Sequence, residues 1–168
     1  GNNLFAASVI ALDVKTGKKL WKYEHRLPEG IMPCCDVINR GAALYDNLVI
    51  FGTANAEPWN PAHRNTDGAG DSLYTASIVA VNADTGEYAW HFQETPEDRW
   101  DFDSNQQITV AELEIGGAKR RVIMHAPKNG FFYVLDRQDG KLISAKPFAK
   151  VTWATSIDLV TGRPVEVP

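Results

Sequence analysis

The stretch Ala11-Leu12-Asp13-Val14-Lys15-Thr16-Gly17-Lys18-Lys19-Leu20-Trp21 recurs as Ala80-Val81-Asn82-Ala83-Asp84-Thr85-Gly86-Glu87-Tyr88-Ala89-Trp90. A third, weaker copy runs Val134-Leu135-Asp136-Arg137-Gln138-Asp139-Gly140-Lys141-Leu142, and a fourth fragment is Ile157-Asp158-Leu159-Val160-Thr161-Gly162. Each reads as a strand, an Asp or Asn, and a tight turn closed by Gly, followed by a second strand. The Asp or Asn side chain accepts backbone N–H bonds across the turn, and Gly supplies the positive φ that the reversal demands. A Trp four residues after the Gly can pack between neighbouring sheets, as radially stacked blades require to fill their wedge. Repeats of this kind predict a β-propeller, with a two-sheet sandwich as the architectural alternative.

The rest of the chain points the same way. Apolar residues come in short β-branched or aromatic runs bounded by turn residues, as in Ser8-Val9-Ile10-Ala11-Leu12, Leu48-Val49-Ile50-Phe51, Ser77-Ile78-Val79-Ala80-Val81 and Gly130-Phe131-Phe132-Tyr133-Val134-Leu135. Helical period is almost absent, so the chain is expected to be all-β. The segment from Ile108 to Ala126 reads as a hairpin turning at Gly116-Gly117. With 44% hydrophobic and 23% charged residues, the composition suits one globular domain. A net charge of −4 offers nucleic acid no basic face, and the run Lys119-Arg120-Arg121 reads as a solvated strand edge. No apolar stretch approaches the ~18 residues that span a bilayer. The opening Gly1-Asn2-Asn3 is unlike a secretory leader and reads as an internal cut, which leaves the compartment open. Cys34 and Cys35 are adjacent, without the spacer a zinc site wants, and two buried free thiols are the plainer reading from the residues alone.

The D-x-x-T-G-x-x-x-W element resembles the tryptophan docking motif of pyrroloquinoline-quinone (PQQ) dependent alcohol and methanol dehydrogenases. Three further segments are similar to that family: Cys34-Cys35-Asp36-Val37-Ile38-Asn39-Arg40-Gly41, then Phe51-Gly52-Thr53-Ala54-Asn55-Ala56-Glu57-Pro58-Trp59-Asn60. The third runs from Trp90 through Thr95-Pro96-Glu97-Asp98-Arg99-Trp100-Asp101-Phe102-Asp103 to Ala126-Pro127-Lys128-Asn129-Gly130 and on to Arg137. The resemblance covers nearly the whole chain. It implies an eight-bladed propeller enzyme of the bacterial periplasm that oxidises a primary alcohol to an aldehyde and passes electrons to a cytochrome c.

The resemblance also implies roles, each of which chemistry can examine. Cys34 and Cys35 match a vicinal disulfide lying on one face of the quinone. Adjacent Cα atoms are ~3.8 Å apart, below the usual disulfide range, so such a bond is strained and persists best in an oxidising compartment. Arg40 matches an arginine on a cofactor carboxylate, which suits its bidentate fork; the plain alternative is a surface charge. Asn55 matches a metal-binding asparagine, with a structural turn residue as the alternative, and Ala54 stands where the family usually has Gly. Asp101 matches the general base that takes the alcohol's hydroxyl proton while hydride moves to the metal-polarised quinone. Asp103, two residues on and on the same side of an extended chain, is either a further metal ligand favouring a lanthanide over calcium or a solvated turn aspartate. Lys128 matches the cation that contacts the quinone oxygens, or is a surface lysine before a turn. Trp153 reads as a packed core residue, and His63, His91 and His125 are scattered with no pairing that suggests catalysis or metal binding.

The resemblance is discontinuous. In the family a long stretch of further blades separates the cysteines from the asparagine loop, whereas here only residues 36–54 do, and they contain no glutamate to serve as the family's remaining metal ligand. The expectation is therefore a partial propeller domain over residues 1–168, about three blades, with a deletion junction near residues 42–50. Such a chain is expected to be inactive by itself. The competing reading is a non-catalytic propeller scaffold for protein partners, which has no need of the constellation Cys34, Cys35, Arg40, Asn55, Asp101 and Lys128. No C-x-x-C-H haem signature is present.

Overall fold

Every copy of the repeat folds into the same hydrogen-bonded object. In this computed structural model, which describes residues 8–24, 32–33, 39–64 and 70–168, the glycine N–H of each turn donates to the carbonyl of its Asp or Asn. The four bonds are Gly17 to Asp13, Gly86 to Asn82, Gly140 to Asp136 and Gly162 to Asp158, all 2.8–3.0 Å. All four glycines sit at φ between +67° and +75°, where a Cβ is penalised. The acid or amide then caps the turn: Asp13 Oδ1 accepts from the Lys15 and Thr16 N–H groups, and Asn82 Oδ1 from Asp84 and Thr85. In the three fuller copies the strand pairing also slips by one residue at the same place, at Ala11/Leu12, Ala80/Val81 and Val134/Leu135.

These turns join strands into sheets that follow chain order. β1 (Val9–Leu12) and β2 (Lys19–Tyr23) form an antiparallel hairpin. After β3 (Met32–Pro33) come β4 (Ala43–Tyr45), β5 (Leu48–Gly52), β6 (Ala56–Glu57), β7 (Ser77–Asn82) and β8 (Tyr88–Gln93). The order β4-β5-β7-β8 is one four-stranded antiparallel sheet, while β6 leaves it to pair with β3. A second such sheet is built from β9 (Thr109–Ile115), β10 (Ala118–His125), β11 (Phe131–Asp136) and β12 (Leu142–Pro147). β13 (Ala154–Ile157) and β14 (Pro164–Glu166) close a last hairpin. The chain is all-β and forms part of a propeller: two complete blades, with the β1–β2 hairpin as the outer half of a third. The expected hairpin turns at Gly116-Gly117, and Lys119, Arg120 and Arg121 lie exposed where β10 pairs with β9 alone.

Alternation along β5 and β7 explains the stacking. Ile50, Ile78 and Ala80 face the second sheet, packing with Trp90, Ile108, Ile123 and Leu135. Their neighbours Val49, Phe51, Val79 and Val81 face the other way, onto Val9, Trp21 and Tyr23 of the first hairpin. A strand covered on both sides reads as a continuous apolar run, and Leu48–Gly52 is buried throughout. The tryptophans then key each sheet to the next. A Cβ on Gly86 would lie 2.7 Å from the Trp21 ring, and one on Gly140 would lie 2.5 Å from the Trp90 ring. The Trp21 indole also donates to the Ala83 carbonyl at 2.8 Å. Gly162 receives Phe92 in the same manner. A sandwich has two sheets face to face; here the β1–β2 hairpin and the two four-stranded sheets follow in series, and the β13–β14 hairpin packs on the second of them.

Candidate active site

Two loops meet at one end of the sheets. The first, residues 94–108, leaves β8 and enters β9. Asp98 folds it: its carboxylate accepts the Trp100 and Phe102 N–H groups at 3.0 and 2.9 Å. Burial pushes the Asp98 carboxyl up, and those two donors together with the Arg64 guanidinium offset part of that rise. Arg64 is itself buried and donates to the Asp98 carbonyl at 2.8 Å. The turn leaves Asp101 at φ +64°, a left-handed conformation that Asp tolerates better than most residues. This corrects the extended-chain expectation: Asp101 and Asp103 are brought together by a turn, not by strand alternation.

Asp103 is the hub of the site. Its carboxylate accepts the Asn55 backbone N–H at 3.1 Å, and its carbonyl accepts the Lys128 backbone N–H at 3.2 Å. The Lys128 ammonium donates to Asp101 Oδ2 at 2.8 Å and reaches Asp103 Oδ2 at 3.4 Å. Burial lowers the Lys128 pKa, but the bond to Asp101 and the charge of Asp103 outweigh it and hold the pKa above its ordinary value. The ammonium side chain is 44% exposed, so water screens part of this attraction. Next to it the Ser104 N–H donates to the Thr53 carbonyl at 2.9 Å, which presses the loop onto the end of β5. A Cβ on Gly52 would collide with the Ser104 carbonyl, so this glycine permits close approach rather than a special dihedral angle.

Asn55 is completely buried, and among the described residues neither its amide oxygen nor its amide nitrogen has a hydrogen-bond partner. A buried amide left this way costs about 1–3 kcal/mol, so the amide is set up for a ligand atom to complete it. An amide oxygen and two carboxylates are the hard oxygen donors that calcium or a lanthanide takes, and Asp103 is tied to the Asn55 backbone N–H while Asp101 and Asp103 share Lys128. The set is smaller than the six to eight oxygens such ions take, and among the described residues no group of three or more His, Cys, Asp and Glu gathers. Ala54 keeps an ordinary negative φ, so the departure from Gly there does not strain the loop.

Of the other sequence-derived residues, Arg40 has an exposed side chain and donates its backbone N–H to the Asn105 carbonyl at 3.1 Å, two residues beyond Asp103. Cys34 and Cys35 lie outside the described residues. Trp153 is buried as expected, 4.8 Å from Trp100 and 5.3 Å from Phe102 between ring centres. His125 has a partner that the sequence did not reveal. It is buried, and its Nδ1 lies 2.9 Å from Glu94 Oε1 while its Nε2 lies 3.1 Å from the Gln106 carbonyl. No local sequence signal joins Glu94 to His125, because they end different sheets. Asn129, also missed, is buried and donates to the Glu94 carbonyl and the Thr95 hydroxyl, both at 3.2 Å.

Against known proteins, residues 46–151 match the family model described as the PQQ glucose/ethanol/alcohol dehydrogenase β-propeller domain. The quinohemoprotein alcohol dehydrogenase ADH IIB of Pseudomonas putida is 61% identical over 184 aligned residues, which take in 95% of this chain and 26% of that protein. The 1-butanol dehydrogenase (cytochrome c) of Thauera butanivorans is 56% identical over 68% of this chain and 16% of its own length. Among solved structures, a europium-containing methanol dehydrogenase superposes with a TM-score of 0.82 at 31% identity, over 97% of this chain and 33% of that one. The chain thus spans about a quarter, or less, of the curated relatives it matches.

Proposed function

This chain belongs to the PQQ glucose/ethanol/alcohol dehydrogenase β-propeller family, and from that premise we propose that it is part of a periplasmic enzyme oxidising a primary alcohol to an aldehyde. The observation that carries the reading is the gathering of Asp101 and Asp103 on Lys128, with Asp103 also holding the backbone N–H of Asn55, whose buried side-chain amide has no partner among the described residues. A scaffold has no use for two carboxylates gathered on one lysine beside the Asn55 loop. Asp101 Oδ2 takes the hydroxyl proton of the alcohol, and Lys128 Nζ, already 2.8 Å from that oxygen, stabilises negative charge developing nearby. Asn55 Oδ1, Asp101 and Asp103 would hold the cation. Arg40 offers its guanidinium fork to a cofactor carboxylate, and Cys34 with Cys35 supplies a vicinal disulfide for one face of the ring. When bound, PQQ supplies the hydride acceptor, and calcium or a lanthanide ion polarises its carbonyl. The two electrons leave to a cytochrome c, a partner that the name of the Thauera relative supports.

The second carboxylate, Asp103, favours a more highly charged cation, and the likeness to a europium-containing enzyme supports a lanthanide. The 168-residue chain alone does not turn over, because its cation donors are incomplete and a propeller of about three blades leaves the pocket half built. The proposed junction near residues 42–50 falls in the β4–β5 hairpin. The test is dye reduction by a full-length protein that carries this segment with the missing blades restored, supplied with PQQ and calcium or a light lanthanide. Turnover of a primary alcohol that vanishes in Asp101→Ala is the expected result. Robust turnover by the 168-residue chain, or by Asp101→Ala, overturns the proposal.

A further inference from the structure

The 94–108 loop that carries both acids is pinched shut at its neck by one side chain. His125 Nδ1 meets the Glu94 carboxylate, at 2.9 and 3.0 Å from its two oxygens, where the loop begins. His125 Nε2 meets the Gln106 carbonyl at 3.1 Å, where the loop ends. Both partners are acceptors. A neutral imidazole has one N–H and satisfies one of them, whereas an imidazolium satisfies both. Four residues further on, Asn129 donates to the Glu94 carbonyl and the Thr95 hydroxyl, and its own carbonyl accepts the Trp153 indole N–H at 2.8 Å. Tyr133 Oη donates to the same Glu94 carbonyl at 3.1 Å. Lys128 therefore sits on a short segment anchored at both ends, by His125 and Asn129, to the neck of the loop whose acids it meets.

We infer that His125, as a buried imidazolium, and Glu94 are positioning residues that fix the Lys128 ammonium against Asp101 and Asp103. The pair touches neither acid and acts only through the two loops. All of its members are buried, with side chains of Glu94 and His125 fully enclosed, so the contacts cannot be replaced by bulk water. A buried carboxylate with one partner removed is costly, which makes the arrangement all-or-none rather than gradual. Among the described residues the charged or titratable groups beside His125 are Glu94, from the end of β8, and Tyr133, its cross-strand partner on β11. Burial works against the imidazolium, and the Glu94 charge and hydrogen bond together with the Gln106 carbonyl overcome it, raising the pKa. The consequence for chemistry rests on the reading of Asp101 and Lys128 given above; the positioning itself does not.

The test uses the 168-residue chain without metal or cofactor. Nitrogen-15 NMR of the His125 ring at neutral pH is expected to show both nitrogens protonated, and one unprotonated ring nitrogen overturns the inference. Zero-length carbodiimide coupling of Lys128 to Asp101 or Asp103, read by mass spectrometry, is expected to fall about ten-fold in Glu94→Gln and in His125→Phe. His125→Phe risks the fold, and Glu94→Gln keeps the shape and one hydrogen bond, so the second variant decides the matter when the first loses its near-ultraviolet dichroism. Undiminished coupling in a folded Glu94→Gln overturns the inference. Coupling that falls as expected while the restored full-length enzyme proves inactive sinks the functional reading and leaves the positioning standing.

Discussion

The docking turns and the loop pole are built from the same residue types and treat them in opposite ways. In the turns, Asp13, Asn82 and Asp158 spend their side-chain oxygens on neighbours two and three residues along, so each motif is satisfied within itself. At the pole, Asn55 is buried with its amide unpaired, and Asp101 and Asp103 share a lysine from another sheet. The turns would form in any chain that carried them, whereas the pole exists only when two sheets dock. Local satisfaction makes a stable, repeatable element, and withheld satisfaction leaves binding capacity.

Substitutions can break that contrast from either side. The largest effect is expected at the pole, where Asp101→Ala in the restored full-length protein lowers turnover about 10^3- to 10^4-fold with little change in melting temperature. Steady-state dye reduction beside a thermal melt checks both halves. In the docking system, Trp90→Ala is expected to cost about 3–5 kcal/mol, because it empties the space between the first and second sheets; urea unfolding gives the value. A loss under 1 kcal/mol would mean the sheets are held together elsewhere.

A matched pair of asparagines sharpens the comparison. Asn82→Ala removes a turn acceptor and is expected to destabilise by about 1 kcal/mol. Asn55→Ala removes a buried amide that bonds to nothing, so its cost stays within about 1 kcal/mol, while terbium binding followed by tryptophan-sensitised luminescence weakens about 10–100-fold in the restored protein. Asp103→Ala is expected to shift the ratio of lanthanide-supported to calcium-supported turnover by about ten-fold toward calcium, and an unchanged ratio removes the lanthanide reading.

The smallest effects are expected from pH. Bonds from Thr16 hold Asp13 below the ordinary carboxylate value of 3.8, and bonds from Thr161 do the same for Asp158. Their contribution is fully present above the unfolded value and is lost as pH falls through the depressed folded ones. The cap of the Asn82 turn is an amide that does not titrate, so amide exchange should quicken below pH 4 more in the Asp13 and Asp158 turns than in the Asn82 turn. His125 runs the other way: its raised pKa gives a contribution that is complete below the unfolded value of 6.5 and fades as pH rises through the higher folded one.

By itself, the sequence determined the repeat, the strands and the docking tryptophans, because each depends on contacts within a few residues or on period-two alternation. Gly four residues after the Asp or Asn and Trp four residues later still are local facts with one geometric outcome. The candidate residues Asn55, Asp101, Asp103 and Lys128 were legible too, through resemblance to a family. Their arrangement was not. The left-handed turn at Asp101 depends on Asp98, which in turn leans on Arg64 from a segment far away in the chain. The need for glycine at position 52 comes from Ser104, and the pairing of Glu94 with His125 comes from two sheets lying side by side. Hydrogen bonds and steric contacts between residues dozens of positions apart leave no periodicity behind, so only the tertiary structure decided which buried polar groups would be satisfied and that the Asn55 amide would be among those left without a partner.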